Sequence, residues 1–538
     1  MCGMRRRRFL QSAAGAGVAG LAGSRSVKAA EAEIELRPEN AGATIDPHVY
    51  GHFIEHLGGV IYDGIWVGRE SRIPNINGLR RSFVEDMKRI AAPNLRWPGG
   101  CFADGYHWRD GIGPAGRRSR TYNYWEAQMP KGTNATETNQ FGTHEFMGLC
   151  RLLGAEPYLA ANVGSATPQE FYDWVSYCNA PAGSLSLAAE RAANGDKEPF
   201  NVRFWGVGNE SWGCGGNMKP EEYATEYRKF IAQVPAYTKP FLVAVGPRGH
   251  SADMDMGWTT GFFEGLRGAR GRIPNGYALH YYTDFRPTAV KAETVDARSW
   301  YAVLHKGALI DQVIERHWEA MGKVDTQRQC RFVIDEWGNW YNAASRPLAP
   351  RYLLSQAMTL RDAVHAAMTF DIFHRHAEKI AMANIAQTIN CLHSLFLAQE
   401  DRYVRTPVYH VFDMYRGHMG GRLVPMTVRA EELVAPLLEG TGRLASVAGS
   451  ASLRDGVLTV SLTNPGDAAL PVRLRFAGAM RPTEARAATL THEARDAANT
   501  FAAPDEVKPA AVAAQVAGGA VTVTLPRQSV SVLTIRAQ

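Results

Sequence analysis

The chain has 538 residues and a mass of 59.1 kDa, with 45% apolar, 10% aromatic and 21% charged residues. That mix excludes an intrinsically disordered chain and a collagen-like repeat, and the length sets a prior of roughly two to four domains. The net charge of +6 belongs to one end: Arg5, Arg6, Arg7, Arg8, Arg25 and Lys28 precede the first acidic residue, Glu31, and without them 53 basic residues face 53 acidic ones. Composition gives no support for nucleic-acid binding, which needs a basic surface to release counterions.

The basic start has its own reading. Arg6-Arg7-Arg8-Phe9-Leu10 leads into a weakly apolar Ala/Gly run from Ser12 to Gly23, then into the small-residue sites Val27-Lys28-Ala29 or Ala30-Glu31-Ala32. This is the layout of an export signal over residues 1–32, and the paired arginines resemble the twin-arginine type. No other stretch approaches the ~18–20 apolar residues of a membrane span. The expectation is an exported bacterial protein, periplasmic or secreted, with no membrane partner in its mature form. Beyond Cys2, the cysteines Cys101, Cys150, Cys178, Cys214, Cys330 and Cys391 form no CxxC pair and no dense framework.

From about residue 45 to 395, short apolar runs alternate with segments of helical period. The runs predicted as strands are His48–Ile54, Asn94–Trp97, Pro157–Val163, Val202–Val207, Phe241–Val245, Tyr277–Tyr281, Phe332–Asp335 and Ile380–Ile385. Between them, Leu79–Ile90, Gly142–Leu153, Pro168–Cys178, Pro220–Val234 and Leu353–Phe370 read as helices, several with start signals such as Thr167-Pro168 followed by Glu170. Eight β-then-α repeats predict an α/β fold: a (β/α)8 barrel over 46–395. After 395 the texture changes to period-two alternation, as in Val457–Thr463, Val472–Phe476 and Val521–Leu525. Residues 396–538 thus read as an antiparallel β-sandwich, which the alternating strand within 33–45 joins, while Ala485–Gln515 reads as loops.

Catalytic groups of such a barrel project from the C-terminal ends of its strands. Two apolar runs close on a glutamate among tryptophans. One ends in Asn209-Glu210-Ser211-Trp212 and the other in Asp335-Glu336-Trp337-Gly338-Asn339-Trp340. Two carboxylates facing each other are what glycosidic cleavage requires, one protonated to donate to the leaving oxygen and one ionised to attack or to activate water. Tryptophan, Trp337 among them, supplies an apolar face for a sugar ring. His52-Phe53-Ile54-Glu55-His56 matches a zinc-peptidase pattern, but Gly51 before it and Gly58-Gly59 after it break the helix that the pattern needs.

Five motifs in one order resemble the α-L-arabinofuranosidases of glycoside hydrolase family 51. They are Tyr50-Gly-His-Phe-Ile-Glu55-His56, Leu95-Arg96-Trp97-Pro98-Gly99-Gly100, Asp110-Gly111-Ile112-Gly113-Pro114, Gly206-Val207-Gly208-Asn209-Glu210 and Asp335-Glu336-Trp337. The resemblance implies a retaining, exo-acting enzyme with Glu210 as acid/base and Glu336 as nucleophile. It implies sugar contacts from Asn209, Glu55 and Gln387, a pair His280 and Tyr282 that positions the nucleophile, and Arg96 paired with a carboxylate at the pocket base. No cofactor is implied, and the family's multimers allow a homo-oligomer. One departure stands out: many members place Asn after Pro-Gly-Gly, where this chain has Cys101. A thiol bonds a sugar hydroxyl weakly, and a rim disulfide from Cys101 to Cys214 is one arrangement that corner allows. The expected activity is removal of terminal arabinofuranosyl residues from arabinan, arabinoxylan or oligosaccharides. The runners-up are β-D-galactofuranosidase or endo-β-glucanase action on the same scaffold, and a non-catalytic carbohydrate-binding protein.

Overall fold

The computed structural model describes residues 31–128, 135–268, 272–342, 347–349 and 352–538, so all but the last two residues of the expected export signal lie outside it. Eight parallel strands close into a barrel in chain order: β1 (Gly51–Phe53), β2 (Asn94–Trp97), β3 (Glu156–Ala161), β4 (Phe204–Val207), β5 (Phe241–Ala244), β6 (Gly276–Asp284), β7 (Arg331–Trp340) and β8 (Ile380–Ile385). Each coincides with a predicted run, and the differences are at the ends. Asp46 accepts the His48 amide at 3.1 Å and starts a 3-10 turn, Pro47–Tyr50, which shortens β1. Strands β6 and β7 run on past their apolar cores because they pair with each other from His280↔Glu336 to Asp284↔Trp340.

The helices cover the barrel where their caps place them. Thr167 accepts the Glu170 amide to start Pro168–Asn179, and the Glu222 carboxylate takes the Lys219 amide at 2.7 Å to start Pro220–Ile231. The helix expected over Leu353–Phe370 instead spans Leu360–Arg375. Its start is set by Thr359, whose amide and hydroxyl both donate to Asp362.

The second domain is a two-sheet sandwich. One sheet orders Met426–Arg429, Ala32–Leu36, Leu470–Phe476, Ala520–Leu525 and Ala514–Ala517; the other runs from Arg422–Leu423 to Ala510–Val512 and is centred on Val457–Asn464 and Ser529–Ala537. Among the described residues every pairing in it is antiparallel except Ala32–Leu36 with Leu470–Phe476, the consequence of a strand arriving from before the barrel. The inner faces bury Ile34, Leu458, Val460, Leu474, Val523 and Ile535. Ala485–Gln515 is not all loop: Pro482–Leu490 pairs along its length with Ser529–Ala537. Alanine favours strands weakly, and a strong partner strand overrides that preference.

The two domains share a buried polar seam. Ser450 and Ser461 of the sandwich donate to Asp371 on helix Leu360–Arg375, and His374 of that helix bonds both Ser450 and Tyr50. Between β8 and the sandwich lie the hairpin Phe396–Gln399/Arg402–Arg405 and helix Pro407–Tyr415, which packs on Leu360–Arg375. The expected boundary at 395/396 falls ahead of both elements.

Candidate active site

A cavity of about 390 Å³ opens at the C-terminal end of the barrel, with Glu55, Glu210, Tyr282, Glu336 and Gln387 in its wall and Trp125, Trp212 and Trp340 around it. Its floor is set by a bulge. Strand β7 carries one residue more than β6 between the pairs Ala278↔Val333 and His280↔Glu336, so consecutive residues Asp335 and Glu336 both reach the interior. Asp335 accepts from Tyr158 at 2.8 Å and Asn384 at 3.1 Å. Arg96 lies between the acids, its guanidinium 2.8 Å from Glu336, 3.6 Å from Asp335 and 2.6 Å from the Asn209 side-chain oxygen.

Glu336 is held in its ionised form. Burial alone would raise it, but the charges of His280 and Arg96, with hydrogen bonds from Arg96 and from the Tyr282 hydroxyl at 2.7 Å, bring it below the usual carboxylate value. His280 and Tyr282 alternate inward on β6, while Tyr281 turns out to the Lys306 carbonyl. Burial pulls the imidazole of His280 down, yet Glu336 and Glu210 on either side lift it above the ordinary histidine value. Its Nδ1 stands 3.1 Å from Glu210 and 3.6 Å from Glu336. One oxygen of each glutamate and a ring nitrogen of His280 all lie within 4.8 Å of one another. A cation entering that cluster would meet the Arg96 guanidinium, a fixed positive charge 2.8 Å from Glu336.

Glu55 forms the opposite wall. It accepts the amides of Gly100 at 2.9 Å and Phe102 at 3.1 Å, and the Gln387 side chain at 2.9 Å. The double glycine of the β2 loop makes this approach possible: a side chain at Gly99 would stand 2.6 Å from Glu55, and one at Gly100 2.6 Å from Glu336. Burial, then the neighbouring Glu336, raises Glu55 to about 7 despite its three donors. A carboxyl whose folded value is raised keeps a proton that the unfolded chain has lost, so its contribution to stability declines as pH rises from 4.5 towards 7. Thermal melts of the ligand-free protein between about pH 5 and 8 should show the wild type losing more stability than Glu55→Gln. Parallel curves would contradict this electrostatic picture.

Most expected site residues converge here, and two differ. Trp337 does not face the cavity; it is 1% exposed and packs against Phe370, Phe373 and His393. Alternation after the bulge turns it outward, and Trp340 takes the rim position. Cys101 does line the cavity, but as half of a disulfide with Cys214 it has no S–H to offer a sugar. The zinc-like motif is dispersed: His52 is buried, His56 bonds Glu137 and Trp97, and of the three groups that could bind zinc Glu55 is the one that lines the cavity. Arg248, His250 and Arg286 were not expected at the rim. The first two follow the apolar run of β5 just after Gly246-Pro247, so a search extended a few residues past each run would have found them.

A (β/α)8 barrel that brings two carboxylates together in an aromatic-rimmed pocket defines a glycoside hydrolase. Profiles described as "Alpha-L-arabinofuranosidase 1 domain" and "Alpha-L-arabinofuranosidase C-terminal domain" match residues 86–259 and 335–529. A Bacteroides ovatus protein named "Intracellular exo-alpha-L-arabinofuranosidase" is 36% identical over 525 residues, covering 96% of this chain and 98% of its own. The crystal structure of the family 51 arabinofuranosidase from Xanthomonas axonopodis pv. citri superposes with a TM-score of 0.87 at 38% identity, covering 94% of this chain and 100% of that one. The arabinose complex of the Thermotoga maritima α-L-arabinofuranosidase gives 0.80 at 29% identity, over 94% and 99% of the two chains. The chain belongs to the α-L-arabinofuranosidases of glycoside hydrolase family 51, and the runner-up readings are not favoured.

Proposed function

We propose that the enzyme removes terminal arabinofuranosyl residues from arabinose-bearing polysaccharides or oligosaccharides by a retaining double displacement. The observation that carries this reading is the pair Glu210 and Glu336, with oxygens within 4.8 Å and unequal surroundings. Retaining glycosidases place their carboxyls ~5–5.5 Å apart, whereas a wider gap would leave room for an attacking water. Glu336, kept ionised by Arg96, His280 and Tyr282, attacks the anomeric carbon and forms a covalent arabinosyl ester. Glu210, with no guanidinium partner among the described residues, gives its proton to the departing oxygen, then takes one from the water that cleaves the ester. Asn209, fixed by Arg96, meets the 2-hydroxyl, while Glu55 and Gln387 bind the far hydroxyls of the furanose. The compact cavity supports exo action on a single terminal sugar. Hydrolysis of p-nitrophenyl α-L-arabinofuranoside, followed by proton NMR of the first-formed anomer, tests both claims: an α-arabinose product supports retention, a β product sinks it, and no turnover sinks the sugar assignment.

The export signal remains part of this proposal on the strength of residues 5–30 and of the disulfide, since disulfides persist in oxidising compartments. The name of the Bacteroides ovatus relative places that protein inside the cell, and no helix among the described residues is long and apolar enough to cross a membrane. Cleavage after Ala29 would keep the sandwich strand Ala32–Leu36 whole. Intact-mass measurement of the periplasmic protein should find that new terminus, and an uncleaved chain retained in the cytoplasm would overturn it.

A further inference from the structure

The two catalytic carboxyls are anchored very differently. Glu336 has a guanidinium, a phenol and an imidazole around it, whereas among the described residues the one hydrogen bond to the Glu210 carboxyl comes from His280. The backbone at Glu210 is in an unusual conformation. Glu210 sits at a φ of 37°, a left-handed conformation that a non-glycine residue holds only when its surroundings impose it. The turn that follows, Ser211 to Asn217, contains Gly213, Gly215 and Gly216, so few side chains pack it down. It is closed by backbone bonds from Gly213 and Gly215 to the Glu210 carbonyl, from Gly216 and Asn217 to Gly213 and from Met218 to Ser211, and at Gly215 a side chain would stand 1.9 Å from the Asn209 carbonyl oxygen.

One covalent tie crosses this turn. Cys214 is joined to Cys101, 113 residues earlier, with a Cα–Cα distance of 5.6 Å. The other end is well held. The Cys101 carbonyl accepts the Trp125 indole at 2.8 Å, and its neighbours Gly100 and Phe102 clasp Glu55. Both sulfurs touch the same oxygen of Glu210, at 3.7 Å from Cys101 and 3.6 Å from Cys214. Neither sulfur carries a proton in the disulfide, so these are packing contacts on the face of the carboxyl away from His280.

We propose that the Cys101–Cys214 disulfide is a positioning brace for the Glu210 carboxyl, fixing the proton-donating group against the β2 loop that grips the sugar. Cys101 and Cys214 act through Glu210 and are positioning residues. Reduction by a dithiol moves two electrons and two protons. One thiolate attacks a sulfur to give a mixed disulfide, the second thiol displaces it as a cyclic disulfide, and Cys101 and Cys214 are left as thiols. The brace is then gone while Glu336 and its partners are untouched. Proton donation should suffer, and nucleophilic attack should not.

This inference rests on the proposed roles of Glu210 and Glu336, and leaving-group dependence reads it separately. A 2,4-dinitrophenyl arabinofuranoside departs without a proton, whereas methyl α-L-arabinofuranoside needs one. In Cys101→Ser/Cys214→Ser, kcat/KM for the methyl glycoside should fall about 100-fold, the span that a mispositioned general acid forfeits. The loss on the dinitrophenyl glycoside should be smaller by about tenfold or more. Equal losses on both, or no loss on either, would overturn the brace. If the double variant does not fold, the native enzyme treated with dithiothreitol serves instead, with the thiol count rising by two as Cys101 and Cys214 open. An unchanged count would show that no such disulfide exists and would also overturn the proposal. A wild type inactive on both glycosides would refute the sugar assignment alone; the same pair of leaving groups on whichever glycoside it does cleave then decides the brace.

Discussion

Glu336→Gln is expected to lower turnover of an aryl α-L-arabinofuranoside by about 10⁵-fold, on the order found when a covalent nucleophile is removed elsewhere. The amide is isosteric but cannot attack the anomeric carbon, and nothing else in the cavity replaces it. Glu55 is near, but its raised value of about 7 and its three donors leave it a poor substitute for an ionised nucleophile. Glu210 stands beside His280 at 3.1 Å and, in the proposed mechanism, is committed to proton transfer. The fold should survive, because Arg96 keeps Asp335 and Asn209 as partners. Loss in kcat should far exceed any change in KM, since the proposed sugar ligands Glu55, Asn209 and Gln387 are unchanged. Stopped-flow release of dinitrophenol distinguishes the cases: the wild type gives a burst when the arabinosyl ester accumulates, and the variant gives none. A folded variant retaining more than about 1% of wild-type kcat would remove Glu336 from the nucleophile's role.

Much of this site could be read from the chain because its chemistry lies where apolar runs end. Asn209-Glu210 and Asp335-Glu336 announce themselves as charged residues closing buried strands, and the barrel follows from eight such runs. The sequence could not show the bulge in β7. Period-two alternation sends one of two neighbours outward, and on that rule Asp335 and Glu336 cannot both face the pocket. The extra residue between Val333 and Glu336 reverses the parity and sends Trp337 into the helix layer instead of the sugar site. The strand in Pro482–Leu490 was hidden for the opposite reason: its alanines carry no pattern, and its partner Ser529–Ala537 supplies the order. The Cys101–Cys214 disulfide is one arrangement the sequence allows, because both cysteines lie just past strand ends, and the structure forms it; local pattern alone could not select that pairing over others.

Arg96→Met tests the electrostatic floor of the site and should destabilise the protein by about 3–5 kcal/mol, the usual result of leaving a buried charge without its partner. Arg96 is 1% exposed and lies against Asp335 and Glu336, which are also buried. Methionine can fill the guanidinium's place beside Phe53, over whose ring it sits at 4.6 Å, so lost packing is a minor part of the effect. The larger part is two carboxylates facing each other with only His280, Tyr282, Tyr158 and Asn384 to steady them. The sign of the pH effect follows from Glu336. Its depressed folded value adds stability above the ordinary value of 4.5, which is lost as pH falls through the folded one. Without Arg96, burial is opposed by less positive charge and Glu336 shifts upward. The acid limb of kcat/KM should therefore move to higher pH, and activity should fall as Asn209 loses the group that orients it. Arg96→Lys should restore only part of both, because a single ammonium cannot bond Glu336 and Asn209 in the fixed fork of the guanidinium. If Arg96→Met melts within a degree or so of wild type and its acid limb does not move, Arg96 is not what keeps Glu336 ionised.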